Sequence, residues 1–164
     1  MEATPNLLIK NCIPAGENFD GKSKKDIRIQ DGEIAEITEE ISAADGEEIF
    51  DANGAFISGG WMDMHVHFRE PGFEHKETVE TGCRSAAFGG FTEVACMPNT
   101  KPATHTRDVV EFIKKKAEKE AVDVHPIGCV TKDRAGKSIA EMSDMKAGGQ
   151  WHSVMTEIPC IILR

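Results

Sequence analysis

The sequence predicts an α/β chain, in which a small β-rich region is followed by parallel strand–helix units. Three observations carry this. Residues 7 to about 58 hold short apolar runs separated by turn signals, with no helical period. From Gly59-Gly60 onward, strand-like and helix-like stretches alternate, the order that builds a parallel sheet. At 164 residues the chain suits a small domain plus part of a larger one, and it falls short of the roughly 250 residues of a closed eight-stranded βα-barrel.

In the β-rich region, LLIKNC reads as the first strand. DIRIQ and EIAEI flank Asp31-Gly32, a hairpin signal because glycine tolerates positive φ without steric cost. EEIFDANGAFISGG supplies two more short strands around Asn53-Gly54. WMDMHVHF, FTEVACM and VDVHPIGCV then read as three strands. Helices are predicted over Lys76 to Phe88, Arg107 to Glu120 and Ser138 to Ala147. In the second, Val109, Phe112, Ile113 and Ala117 share one face at helical spacing. The predicted division is a sandwich-like β-domain over 1–58, strand–helix units over 59–149 and a distinct tail over 150–164.

The formal net charge of -9 opposes binding to nucleic acid or to an acidic membrane surface. No apolar run is long enough to span a bilayer, and MEATPNLLIK lacks the features of a secretory signal, so a cytoplasmic protein is expected. The five cysteines are odd in number and form no CxxC pair, which argues against a disulfide framework or a cysteine zinc site. Buried small apolar residues is the better description of most of them.

Chemistry concentrates in Asp63–Gly72, DMHVHFREPG. His65 and His67 are two apart on a predicted strand, so both imidazoles point to one face and make half of a zinc site. The strand ends at Pro71-Gly72, which puts the pair near its C-terminal end, where βα-barrels carry their active sites. Asp63 falls on the same face of that strand and either supports the ligands or satisfies a backbone group. Arg69 offers a planar fork suited to a carboxylate. Asn99, in CMPNTKP, suits either substrate binding or capping of a loop. His75, His105 and His125 have no ligand spacing and read as packed or solvated. Lys114, Lys115 and Lys116 read as a solvated helix face.

These motifs resemble the N-terminal part of the type I dihydroorotases of the amidohydrolase superfamily. KETVETGCRSAAFGGFTEV, CMPNTKP and VDVHPIGCVTKDRAGKSIAEMSDMKAGG extend the resemblance over residues 7 to about 149. It implies an incomplete TIM-barrel, its first three βα units preceded by a small β-domain. It implies a hydrolase of cyclic amides that interconverts N-carbamoyl-L-aspartate and L-dihydroorotate in pyrimidine biosynthesis. The cofactor implied is Zn2+, two ions per site in the intact family. By position, His65 and His67 match the first two metal ligands, and Arg69 and Asn99 match the residues that hold the substrate carboxylate. Allantoinases and hydantoinases share the HxH strand but usually differ at Arg69 and Asn99. A homo-oligomer, or a non-catalytic subunit bound to aspartate transcarbamoylase, is the other class of reading.

After Gly149 the chain reads QWHSVMTEIPCIILR, where the resemblance calls for a strand like AVAFSDDG ending in a metal-holding aspartate. Gln150–Glu157 back-translates as CAG TGG CAT TCA GTG ATG ACG GAA. Read from one base earlier, those bases give GCA GTG GCA TTC AGT GAT GAC GGA, or Ala-Val-Ala-Phe-Ser-Asp-Asp-Gly. The second alanine and second aspartate are forced by any codon choice. The expectation is a one-base slip between about Ala147 and Gln150. The later metal ligands and the proton-shuttling aspartate are then missing from these residues, with no activity from them alone. Three open parallel strands also predict poor solubility.

Overall fold

A computed structural model describes residues 6–154 and divides the chain into two compact units, Met1–Gly59 and Gly60–Arg164. In the first unit, strands β1 (Leu7–Pro14), β2 (Lys25–Gln30), β3 (Glu33–Thr38), β4 (Glu48–Asp51) and β5 (Phe56–Ile57) form one mixed sheet in the order β3-β2-β1-β4, with β5 also on β1. Strands β4 and β5 both pair in parallel with β1, β4 along Leu7 to Lys10 and β5 at Ile13 and Pro14. Asp31 (φ 53°) and Gly32 (φ 82°) close the β2–β3 hairpin in the left-handed conformation that a two-residue turn requires. Ile9, Cys12 and Ile27 form the core of this unit. Below them Asp26, 2% exposed, accepts the Asn11 and Ile41 amides, each at 2.9 Å, and pairs with Lys10 Nζ at 2.6 Å.

The second unit is a parallel sheet with helices on one face. Strands β6 (Trp61–Val66), β7 (Phe91–Cys96), β8 (Asp123–Cys129) and β9 (His152–Val154) pair in sequence order, all parallel. Helices α1 (Val79–Phe88) and α2 (Arg107–Ala117) connect the first three strands, and α3 (Met142–Ala147) leads to β9. Val79, Cys83, Val109 and Ile113 from the helices pack on Val94, Cys96, Val122 and Val124 from the sheet side. Burying such side chains contributes about 1.5–3 kcal/mol each.

Several predicted elements shift for identifiable reasons. The predicted first helix begins three residues late, at Val79, because Thr78 caps it: its hydroxyl accepts the Thr81 amide and the Thr81 hydroxyl accepts the Thr78 amide, both at 3.1 Å. In α2 the buried face is Val109, Val110 and Ile113, while Phe112 is exposed beneath the Lys116 ammonium. The third helix starts at Met142 instead of Ser138, since Ile139 is held in a β-bridge to Thr131. The expected three barrel strands become four: His152–Val154 adds to β8 as a short parallel strand within the stretch predicted as a tail. Residues 155–164 of that tail lie outside the described residues. No helix among the described residues is long and apolar enough to cross a membrane.

Candidate functional site

The two loops that carry the candidate residues leave neighbouring parallel strands at their C-terminal ends. His65 sits on β6 and His67 one residue past it; Asn99 sits three residues past β7. Met97 N donates to Val66 O at 2.9 Å, which continues the β6–β7 pairing into the start of both loops.

The His65 and His67 rings stand edge to face with centroids 5.1 Å apart. The expected pairing of the imidazoles is thus present, although the strand is not regular. A register shift between Asp63 and Val66 interrupts the alternation that the sequence assumes. Asp63 consequently spends its carboxylate locally, accepting the His65 backbone amide at 2.9 Å. Of its two sequence readings, this geometry supports the backbone one.

Asn99 has a partner that spacing alone does not reveal. His67 Nδ1 donates to Asn99 Oδ1 at 2.9 Å. With that bond made, a neutral ring carries its proton on Nδ1 and leaves the Nε2 lone pair for a metal. Asn99 keeps its amide NH2 as a donor. A cleft of about 270 Å³ opens beside His67, lined among others by Asp63, Phe68, Glu77 and Gly82. Gly82 is required there, since a Cβ would lie 2.3 Å from the Phe68 ring.

Arg69 adopts φ 59°, the left-handed region that costs a non-glycine residue roughly 1–2 kcal/mol. The turn is held by Glu70 N to Phe68 O at 2.7 Å and Phe73 N to Arg69 O at 3.0 Å. Strain of this kind persists where surrounding structure over-determines it, commonly at ligand-binding positions.

The imidazoles are suitable zinc donors, yet the described residues contain no group of three or more His, Cys, Asp or Glu able to hold a metal ion. His65 and His67 therefore fit half of a site. The other histidines lie elsewhere: His125 Nε2 meets Glu93 Oε2 at 2.8 Å and its ring lies 5.9 Å from that of Trp151, while His105 Nδ1 is 3.5 Å from Asp133. The predicted solvated face of Lys114, Lys115 and Lys116 is present, all three being exposed, and two of them also reach back to the body of the unit. Lys114 Nζ donates to Val124 O at 3.2 Å, and Lys116 Nζ pairs with the buried Glu70 at 3.0 Å. Long lysine stems reach back across a helix flank, which spacing along α2 does not show.

A model of the family described as dihydro-orotase-like matches residues 54–157. The chain belongs to that family. Among its relatives, a dihydroorotase of Pelotomaculum thermopropionicum is 51% identical over 143 residues, covering 87% of this chain and 33% of that protein. A dihydroorotase of Citrifermentans bemidjiense is 46% identical over 147 residues, covering 88% and 34%. The dihydroorotase-like chain thus spans about a third of the length of the curated relatives it matches. Among solved structures, the L-hydantoinase of Arthrobacter aurescens superposes with a TM-score of 0.76 at 29% identity, covering 92% of this chain and 32% of that one. A dihydroorotase crystal structure superposes with a TM-score of 0.65 at 17% identity, over 92% and 42%, which shows the shared fold.

Proposed function

We propose that these residues supply the first metal-binding strand and the carboxylate-binding residues of an enzyme interconverting N-carbamoyl-L-aspartate and L-dihydroorotate in pyrimidine synthesis. The observation that carries the reading is the convergence of His65, His67 and Asn99 with the strained Arg69 turn, on two loops leaving adjacent strands. His65 and His67 would hold zinc, which when bound supplies Lewis-acid polarisation of a cyclic amide carbonyl. Arg69 binds the substrate carboxylate through its fork. Asn99 orients His67 through its oxygen and donates its amide hydrogens to the same carboxylate. The curated relatives named dihydroorotase support this substrate over a hydantoin. A cytoplasmic setting accords with the net charge of -9 and with the buried free thiols Cys12, Cys83, Cys96 and Cys129.

The test is a ligand titration followed by NMR. N-carbamoyl-L-aspartate and L-dihydroorotate shift the Arg69 and Asn99 side-chain resonances, whereas allantoin and hydantoin do not. Equal shifts from all four ligands would defeat the assignment.

Two imidazoles bind zinc more weakly than a full set with carboxylates. The 164 residues on their own therefore have no measurable turnover, and turnover by purified, sequence-verified protein would contradict this. The same reading extends to a one-base slip between about Ala147 and Gln150. Gln150 is 5% exposed, its Oε1 has no hydrogen-bond partner, and its Nε2 lies 2.8 Å from where a Cβ on Gly128 would be. An orphaned buried carbonyl costs about 1–3 kcal/mol, and the alanine of the shifted frame has none. Nucleotide sequence across codons 145–158 decides between the frames: a shifted frame that fails to continue into family-like sequence rejects the slip.

A further inference from the structure

We infer that Glu70 and Lys116 form a clamp that positions the Arg69 guanidinium for the substrate carboxylate, which makes Lys116 a positioning residue for a site 47 positions away in sequence. This rests on the carboxylate-binding role proposed above for Arg69.

Glu70 follows Arg69 directly, and its side chain is 6% exposed. A buried carboxylate persists only when its oxygens are satisfied. Here one oxygen, Oε2, accepts the Val79 amide at 2.8 Å, the first residue of α1, where the helix dipole favours an anion. The other, Oε1, meets Lys116 Nζ at 3.0 Å, from the last turn of α2. The residue after Arg69 is thus tied to two helices at once.

The far side of the turn is tied as well. Lys101 N donates to Pro71 O at 2.8 Å, and a Cβ on Gly72 would lie 2.1 Å from Lys101 O. Lys101 belongs to the loop that carries Asn99. The left-handed turn at Arg69 is therefore gripped between the helix layer, through Glu70, and the Asn99 loop, through Pro71 and Gly72. Withdrawing Lys116 leaves the Glu70 charge buried with half its partners, and the carboxylate gains by swinging towards water. That movement drags the adjoining Arg69 out of register with Asn99, and small displacements of a binding group are costly in affinity.

Calorimetric titration of the full chain with N-carbamoyl-L-aspartate tests this, using Lys116→Met, Lys116→Arg, Glu70→Gln and Arg69→Ala. Lys116 is 51% exposed, so its replacements leave a folded chain, verified by a cooperative melt. Lys116→Met and Glu70→Gln raise Kd about tenfold, Lys116→Arg restores it to within about twofold, and Arg69→Ala abolishes binding. Zinc affinity stays the same in Lys116→Met, which separates the clamp from a general loosening. Binding that needs Arg69 but ignores Lys116 and Glu70 overturns the clamp and leaves the substrate reading standing. Absence of binding by the unmodified chain overturns the substrate reading, and amide exchange then judges the clamp by itself. Phe73 and Lys101, whose acceptors are Arg69 O and Pro71 O, exchange faster in Lys116→Met and normally in Lys116→Arg; unchanged exchange in Lys116→Met overturns it.

Discussion

Gly72→Ala separates backbone strain from a steric clash at the point where the two site loops touch. Gly72 has φ 96°, so any other residue there pays roughly 1–2 kcal/mol of conformational strain. A Cβ would also lie 2.1 Å from Lys101 O and 2.6 Å from Lys101 Cβ. An ordinary contact begins near 3.4 Å, so one loop must retreat by the difference between 3.4 and 2.1 Å, or 1.3 Å. Overpacking of that order adds about 1–3 kcal/mol, for a total of about 2–5 kcal/mol. Gly90→Ala is the matched control, with φ 83° and nothing within 4 Å of the added Cβ; strain alone makes it cost about 1–2 kcal/mol. Trp61 and Trp151, the two tryptophans of the chain, both lie in the second unit, so their fluorescence follows its unfolding in urea. Equal losses at the two glycines, or a neutral Gly72→Ala, would refute the pinch between the loops.

Further outcomes follow from the caps, the buried acid and the thiols. Thr78→Ala removes the α1 capping box and lowers the urea midpoint by about 1 kcal/mol equivalent, whereas Thr106→Ala, at a cap that makes no side-chain bond, changes it little. Burial pushes the Asp26 carboxyl up, but Lys10 and the Asn11 and Ile41 amides outweigh it and hold it below the usual carboxylate range. A folded value below the unfolded one makes its contribution complete above about pH 4 and lost as pH falls through the lowered value. Ile27 amide signals in an acid titration should show that loss, and Asp26→Asn should remove it. Burial pushes the Cys96 thiol up to about 12 and those of Cys83 and Cys129 up to about 11, so a thiol reagent at pH 8 modifies none of the three until urea is added.

The elements most legible in the sequence are those whose signal is local. Asp31-Gly32 dictates its hairpin, and apolar spacing finds α2 because one face of it must be buried. The HxH pair was visible for the same reason, since two residues on one strand end need no tertiary information to be neighbours. What escaped the sequence depends on contacts between distant segments. The Asn99–His67 bond joins loops 32 positions apart, and Glu70 reaches a lysine that looks solvated on its own helix. Phe112, expected on the buried face of α2, is exposed, while Val110 is buried against Ala140 and Met145, which cover a flank that spacing within α2 does not reveal. Sequence left two readings of Asp63 open, and the choice between them rests on a register shift that composition does not mark. The fourth strand at His152–Val154 takes its pairing from the free edge of β8, with little support from its own residues.

The half-site is tested most directly by titrating the chain with Co(II), whose visible absorption reports nitrogen ligands, and competing it off with zinc. One weak equivalent should bind, with absorption lost in His65→Ala and His67→Ala. Asn99→Ala should weaken affinity about tenfold or more, by releasing the His67 ring, while His125→Ala leaves it unchanged. A cobalt spectrum indifferent to His65 and His67, or no binding at all by the folded chain, would contradict the assignment of these two histidines as the metal-holding part of an amidohydrolase site.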